Sequence, residues 1–218
     1  MEVITGIEQY WCYRIREAIV QASIWHEGQT RKEANIPYIA HLMGVALWLS
    51  LSGADEDTII AGILHDILED TPMKPEVSEW HFGANVLRMV QAVTEPDKNL
   101  PWEERKAMII KNLGSADLKV KMISCADKYD NLLSIFKALK SEGFRENEDC
   151  SKAEIWLKFK KGYEQQKWFN QEILKALFAN VSCDDLPPLF GKYMRLVESI
   201  FREQVILDEA VREKVKKK

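Results

Sequence analysis

Apolar positions recur at helical spacing along nearly the whole chain. From residue 5 to about 25 the stripe is Ile7, Tyr10, Trp11, Ile15, Ala18, Ile19 and Ala22, which predicts one amphipathic helix. Residues 27–35 are polar and lose the stripe, so they read as a loop. Pro37 stands where a helix can start, and the pattern then predicts a helix to Ser52, stopped by Gly53. Asp55-Glu-Asp57 puts negative charge at the positive end of the next helix. That pattern continues through His65 to about Asp70, where Thr71-Pro72 breaks it. Shorter helices are predicted near 75–82 and 84–94, separated by Gly83, and Pro101 suits another helix start. Ser115 reads as the N-cap of a long helix to about Ser141, with Gly143 beyond its end. Two further long helical patterns cover roughly 151–180 and 184–216, parted by Pro187-Pro188. No strand-like alternation and no internal repeat stand out, so the predicted fold class is all-α.

One stretch violates the pattern. In Ala61-Gly-Ile-Leu-His-Asp-Ile-Leu-Glu-Asp70, four polar or charged groups interrupt residues that otherwise call for burial. Burying such groups is expensive without compensation. A divalent metal supplies it, binding deprotonated imidazole and carboxylate. Adjacent helical side chains point about 100° apart, so His65 and Asp66 converge on one ion only at a helix junction where other segments add ligands. His41 upstream and Asp127 downstream are the candidates, the latter again a charge in an apolar stretch. Two His and two Asp form a mixed set suited to Mn²⁺, Fe²⁺ or Zn²⁺ more than Ca²⁺. Glu69 and Asp70 fall one turn after His65 and Asp66, and carboxylates near a helix C-terminus oppose its dipole. That awkward placement favours a role in orienting or deprotonating a water. Arg31 and Lys32 read equally as an exposed surface pair or as phosphate and base contacts. His81 reads as an ordinary core histidine.

Composition narrows the function classes. The 218 residues are 46% hydrophobic and 29% charged, enough for a packed core in one domain, or in one domain with an appended helical subdomain. No apolar run approaches the roughly 20 residues of a membrane span. Glu2, Glu8 and Arg14 interrupt any signal-peptide core. Four scattered cysteines argue against a zinc ribbon or disulfide framework and for a reduced, cytoplasmic chain. A net charge of −4 gives no support to nucleic-acid binding. An anionic small substrate fits if positive charge is concentrated locally.

Four motifs then occur in order: His26-x-Gly-Gln-x-Arg-Lys32, Pro37-Tyr-Ile-x-His41, Ala61-Gly-Ile-Leu-His65-Asp66-x-x-Glu69-Asp70-Thr and Ala126-Asp127-Lys-x-x-Asn131. Together, with Phe82-Gly-x-x-Val86 and Val93-Thr94, they resemble the HD-domain hydrolases of the RelA/SpoT type, including stand-alone small alarmone hydrolases. The match covers about residues 10–140. Residues 156–178 look like the tail of bacterial stand-alone members, which implies a hydrolase without synthetase or regulatory domain. The resemblance implies a helical bundle, with 1–145 as hydrolase core and 146–218 as helices completing the same domain. It implies metal ligation, usually of Mn²⁺, by His41, His65, Asp66 and Asp127. Glu69 and Asp70 fall on the pair that positions and activates the attacking water, Arg31 and Lys32 on substrate contacts, and Asn131 on a nucleotide contact. The implied reaction removes pyrophosphate from the 3′ position of a guanosine or adenosine alarmone. Lys128, Lys158 and Lys161 are candidate auxiliary cations for that substrate.

Two departures accompany the match. The family more often has an aliphatic residue, then His or Tyr, where this chain has Tyr129-Asp130, and Asp130 adds negative charge near an anionic substrate unless it faces away. The segment 156–168 differs from the tail of the animal enzymes. Other readings are an HD phosphohydrolase of another nucleotide, such as a monophosphate or an NADPH-like 2′-phosphate, and a catalytically silent nucleotide-binding module. The expected partner is a small nucleotide, not nucleic acid or membrane, for a monomer or homodimer.

Overall fold

A computed structural model describes residues 6–31, 35–95, 97–145, 148–182 and 184–217. Lys32 lies outside the described residues, as do the side chains of Ile7, Tyr10 and Trp11. The helices are α1 (Gly6–Trp25), α2 (Ile39–Leu51), α3 (Glu56–Ile63), α4 (Ile67–Asp70), α5 (Pro75–Phe82), α6 (Ala84–Val93), α7 (Trp102–Ser115), α8 (Leu118–Ser141), α9 (Tyr163–Phe178), α10 (Pro188–Phe201) and α11 (Glu209–Lys217). A 3₁₀ turn spans Glu154–Lys158. Among the described residues the fold is all-α, with one isolated bridge between Thr30 and Pro37.

The central element is α8, which packs against α2, α3, α6 and α10. It buries Val120, Ile123, Cys125, Ala126, Leu132, Ile135 and Leu139 and so supplies one wall to each neighbour. Two glycines set how closely helices approach α2. A Cβ on Gly62 of α3 would stand 2.2 Å from Leu49 Cδ1 of α2, so the α2–α3 contact requires glycine there. Gly44 plays the same part between α2 and α8. Arg14 then ties α1 to its neighbours, donating to Glu56 (2.6 Å), Asp57 (2.9 Å) and the Phe82 carbonyl (3.1 Å). α10 buries Leu189, Phe190, Tyr193, Val197, Ile200 and Phe201 against α8 and α9, so this stripe packs inside the chain. Inside that contact the Tyr193 hydroxyl donates to Asn170 Oδ1 (2.6 Å).

Four predicted helices differ, each for a local reason. The helix expected from Asp55 to Asp70 is two helices, with Leu64, His65 and Asp66 forming a turn between them. Leu64 (φ −101°, ψ 5°) and Asp66 (φ −98°, ψ 0°) leave helical geometry there. Ser115 caps nothing ahead of it; it ends α7, and Asp117 is the N-cap of α8. Asp117 is extended (φ −68°, ψ 165°) and its carboxylate accepts the Val120 N–H at 3.0 Å, satisfying an orphan donor. Residues 151–180 break after the 3₁₀ turn, whose start is capped by Glu142 accepting from the Glu154 and Ile155 N–H groups, both at 2.9 Å. Residues 184–216 break at Arg202, which is left-handed (φ 53°, ψ 30°) and ends α10. Lys121 is buried yet satisfied, donating to the carbonyls of Gly114 and Ala179 at the ends of α7 and α9.

Candidate metal centre and active site

The turn between α3 and α4 is what lets neighbouring residues converge. His65 Nδ1 lies 2.9 Å from the Gly62 carbonyl, which only accepts, so Nδ1 carries the proton and a neutral ring presents its Nε2 lone pair. His41, at the start of α2, has its Nδ1 2.8 Å from Asp130 Oδ2, which fixes the same tautomer. Asp127 of α8 stands between them. Its Oδ1 is 3.3 Å from His41 Nε2 and 3.7 Å from His65 Nε2. Donor atoms of these three buried residues all lie within 4.8 Å of one another. Neither imidazole Nε2, both buried, has a hydrogen bond of acceptable geometry. Buried ring nitrogens without partners are costly, and two of them converging beside a carboxylate suit a divalent cation.

Asp66 stands at the edge of this cluster. Its Oδ2 is 3.0 Å from His65 Nε2 and accepts the Tyr38 hydroxyl at 2.5 Å. The electrostatics point the same way. Burial is the largest influence on both imidazoles and lowers their pKa values, but carboxylates outweigh it. Asp127 and Asp130 raise His41, and Asp66 and Asp127 raise His65 well above the ordinary histidine value. Asp127 is held well below the usual carboxylate range, because Lys128 and the two rings overcome its desolvation. The pocket is therefore a place where positive charge is stabilised, by protons in the metal-free chain.

A cavity of about 640 Å³ opens over this cluster. His65, Asp66, Glu69, Asp70 and Asp127 line its floor, with Arg31, Tyr38 and Asn131 at the side. Glu69 is anchored by the Glu95 N–H (3.1 Å) with Lys98 3.5 Å from its other oxygen. Burial, then the Asp66 charge, pushes its pKa above the ordinary value. Asp70 pairs with Lys98 at 2.6 Å. Asn131, one turn after Asp127 on α8, donates to Asp127 Oδ1 (2.6 Å). Arg31 is buried rather than a surface residue, its guanidinium reaching Asn131 (3.1 Å), Ser134 (3.0 Å) and Asp130 (3.4 Å).

A second wall comes from α7, the 3₁₀ turn with the residues after it, and α9. It presents Lys106, Lys158, Lys160 and Lys161 with Trp102, Phe159 and Phe169. Lys106 lies 4.9 Å from the Phe169 ring centre and ion-pairs with Glu95 (2.5 Å). Burial, then Lys128, lowers its pKa. Tyr38, Lys98, Lys106 and Lys160 are site residues that sequence reasoning did not single out. Tyr38 sat inside the Pro37-to-His41 motif, which was a usable signal, whereas the lysines lie in ordinary charged segments. His81 is exposed on α5 against Trp80, neither core nor site.

A family profile described as an HD domain matches residues 18–157, more than half of the chain. The chain belongs to the HD-domain family. HD domains are metal-dependent, and the His41–His65–Asp127 cluster is the candidate for that metal site. Curated relatives are similar to this chain in sequence. The protein named guanosine-3′,5′-bis(diphosphate) 3′-pyrophosphohydrolase MESH1 from Xenopus tropicalis is 40% identical over 135 residues, covering 61% of this chain and 74% of its own. Human MESH1, of the same name, is 34% identical over 168 residues, 76% of this chain and 93% of its own. The crystal structure of Lmo0812 from Listeria monocytogenes superposes with a TM-score of 0.68 at 39% identity, covering 75% of this chain and 99% of that one. The chain thus matches 74–99% of the length of these proteins over 61–76% of its own. Among the described residues, no helix is long and apolar enough to cross a membrane.

Proposed function

We propose that this chain is a divalent-metal-dependent 3′-pyrophosphohydrolase of nucleotides of the (p)ppGpp type. The carrying observation is the convergence of the buried His41 and His65 Nε2 atoms beside Asp127, at a cavity that His65 and Asp127 line together with Lys106, Lys158, Lys160 and Lys161. The names of the MESH1 relatives support the substrate. His41, His65 and Asp127 would hold the ion, with Asp66 as the fourth ligand. Imidazole and carboxylate donors without a thiolate suit Mn²⁺. When bound, such an ion activates water and offsets charge on a phosphoryl oxygen.

The chain's own residues account for the rest. Glu69 is half-buried, anchored through one oxygen and raised in pKa, as a general base requires. Water attacks the 3′ phosphorus, the bond to the 3′ oxygen breaks, and the proton taken up by Glu69 is returned to that oxygen as it leaves. Pyrophosphate and a 3′-hydroxyl result. Asp70, held by Lys98, orients the water. Lys128, Lys158 and Lys161, with Lys106 and Lys160, offset the substrate's negative charge. Arg31 and Asn131 form the nucleotide edge, with Lys32 adjoining them in sequence, and Trp102 and Phe169 offer rings to the base. Lining of this cavity by Gln166, Phe169, Asn170 and Ile173 of α9 supports reading residues 1–145 and 146–218 as one catalytic unit. A nucleotide substrate and the free, buried Cys125 and Cys150 suit the cytoplasm.

Product analysis tests the reading. With Mn²⁺ and a 3′-diphosphorylated guanosine nucleotide, pyrophosphate is expected as the phosphorus product. Orthophosphate alone, or turnover only of nucleoside monophosphates or of an NADPH 2′-phosphate, would overturn it.

A further inference from the structure

The two imidazoles of the metal centre are held from behind in different ways. His65 Nδ1 meets a main-chain carbonyl, that of Gly62, at 2.9 Å. His41 Nδ1 meets a carboxylate, Asp130 Oδ2, at 2.8 Å. Asp130 lies three residues after Asp127 on α8 but is outside the three-residue donor cluster. It reaches His41 through a recess in α2: a Cβ on Gly44 would stand 2.3 Å from Asp130 Oδ1 and 2.9 Å from its Cγ. Any residue larger than glycine at position 44 therefore displaces the carboxylate. The same Oδ2 is 3.4 Å from Arg31 Nη1, so its charge is turned toward a ring and a guanidinium rather than into the cavity. Asp130 does not line that cavity.

We infer that Asp130 is a positioning residue of the metal centre, holding His41 with Nδ1 protonated and Nε2 toward the ion, and that Gly44 is the recess that admits it. The inference rests on reading His41, His65 and Asp127 as the metal site. A carboxylate behind a ligating imidazole fixes its tautomer and orientation and strengthens it as a donor, and losing such a partner typically weakens metal binding by about 10- to 100-fold. His65, backed by a carbonyl, has no equivalent charge behind it, so the two rings differ as donors. By sharing an oxygen with Arg31, Asp130 also joins the nucleotide edge of the site to the metal centre.

The test is Mn²⁺ binding to the full chain freed of metal, read by the electron paramagnetic resonance of free Mn²⁺ and independently of turnover. Asp130→Ala is expected to weaken affinity about 10- to 100-fold, Gly44→Ala to act in the same direction, and Asp130→Asn to fall between, since its oxygen still accepts but carries no charge. The Asp130→Ala/Gly44→Ala double variant should bind no more weakly than Asp130→Ala alone, because the recess then has nothing to displace. Nitrogen-15 spectra of the metal-free chain, at a pH where the rings are neutral, should show His41 losing its fixed Nδ1–H tautomer in Asp130→Ala while His65 keeps its own. A loss of packing alone would not separate the two rings. If Asp130→Ala does not fold, Asp130→Asn and Gly44→Ala carry the same test. Wild-type Mn²⁺ affinity in the Asp130 variants, with the His41 tautomer unchanged, overturns the inference and leaves the metal site standing. Absence of binding by the unmodified chain overturns the metal reading itself.

Discussion

The floor and the lysine-bearing wall of the cavity are built on opposite terms. The metal-centre groups at the floor, His65 and Asp127 with the adjoining His41, are buried, and each is fixed by a short helix break or a helix-to-helix contact. The wall groups, Lys158, Lys160 and Lys161, sit on and beyond a short 3₁₀ turn before α9, and Lys161 pairs with the exposed Glu103. Chemistry demands this division. A metal centre needs donors placed within tenths of an ångström, whereas neutralising a polyphosphate needs only charge at the right side of the cavity. Substitutions on the floor should therefore abolish the reaction, and substitutions on the wall should tune it.

The sharpest way to break that comparison is on the floor. His65→Ala or Asp127→Ala should remove bound metal and reduce turnover to background, measured by metal content and pyrophosphate release on the same sample. Glu69→Gln should separate the two roles there: kcat falls roughly 100- to 10,000-fold while metal content stays near that of the unmodified chain. The pH profile carries the same residue's signature. Glu69 accepts a proton only when ionised, so activity rises with pH through its pKa, which burial and Asp66 push above the ordinary 4.5. In the metal-free chain the unfolded state loses that proton first, so Glu69's share of stability is present at low pH and declines as pH rises through the window above 4.5.

On the wall, Lys158→Ala with Lys161→Ala should raise KM by about 10-fold with kcat little changed, the loss of charge-assisted contacts to an anionic substrate. The effect should shrink at high salt, because these lysines are solvent-accessible. A kcat loss as large as that of Glu69→Gln would end the division between floor and wall. The smallest expected effect lies outside both. Asp117→Ala removes the α8 cap and should cost about 1 kcal/mol of stability without changing kcat. The Asp117 pKa is lowered: burial opposes that, but the Val120 N–H and Arg88 outweigh it. Its contribution is present above 3.8 and lost as pH falls through the folded value, so mutant and parent should converge in acid.

How far the sequence discloses each region follows from the same contrast. His65 and Asp66 betray themselves because charged groups interrupt an apolar run, and the helix junction they require does exist at Leu64–Asp66. The all-α fold is legible from spacing alone. Three of the displaced helix ends are invisible to periodicity, because they depend on side chains finding particular backbone groups: Asp117 on Val120, Glu142 on Glu154 and Ile155, and the left-handed Arg202. Tyr38 on Asp66 and Asp130 on His41 join residues 28 and 89 positions apart, and no local pattern encodes such pairings. The lysine wall is illegible for a different reason. A lysine facing a cavity and a lysine facing bulk water look identical in sequence, and only the packing of α9 on α7 separates them.

The proposed reaction depends on an ion held by the convergent Nε2 atoms of His41 and His65 with Asp127. An anomalous difference map at the manganese absorption edge, from crystals grown with Mn²⁺, tests it most directly. One strong peak bounded by those three side chains is expected, lost in His65→Ala together with turnover. A peak elsewhere in the cavity, or none in crystals of protein that releases pyrophosphate, would contradict it.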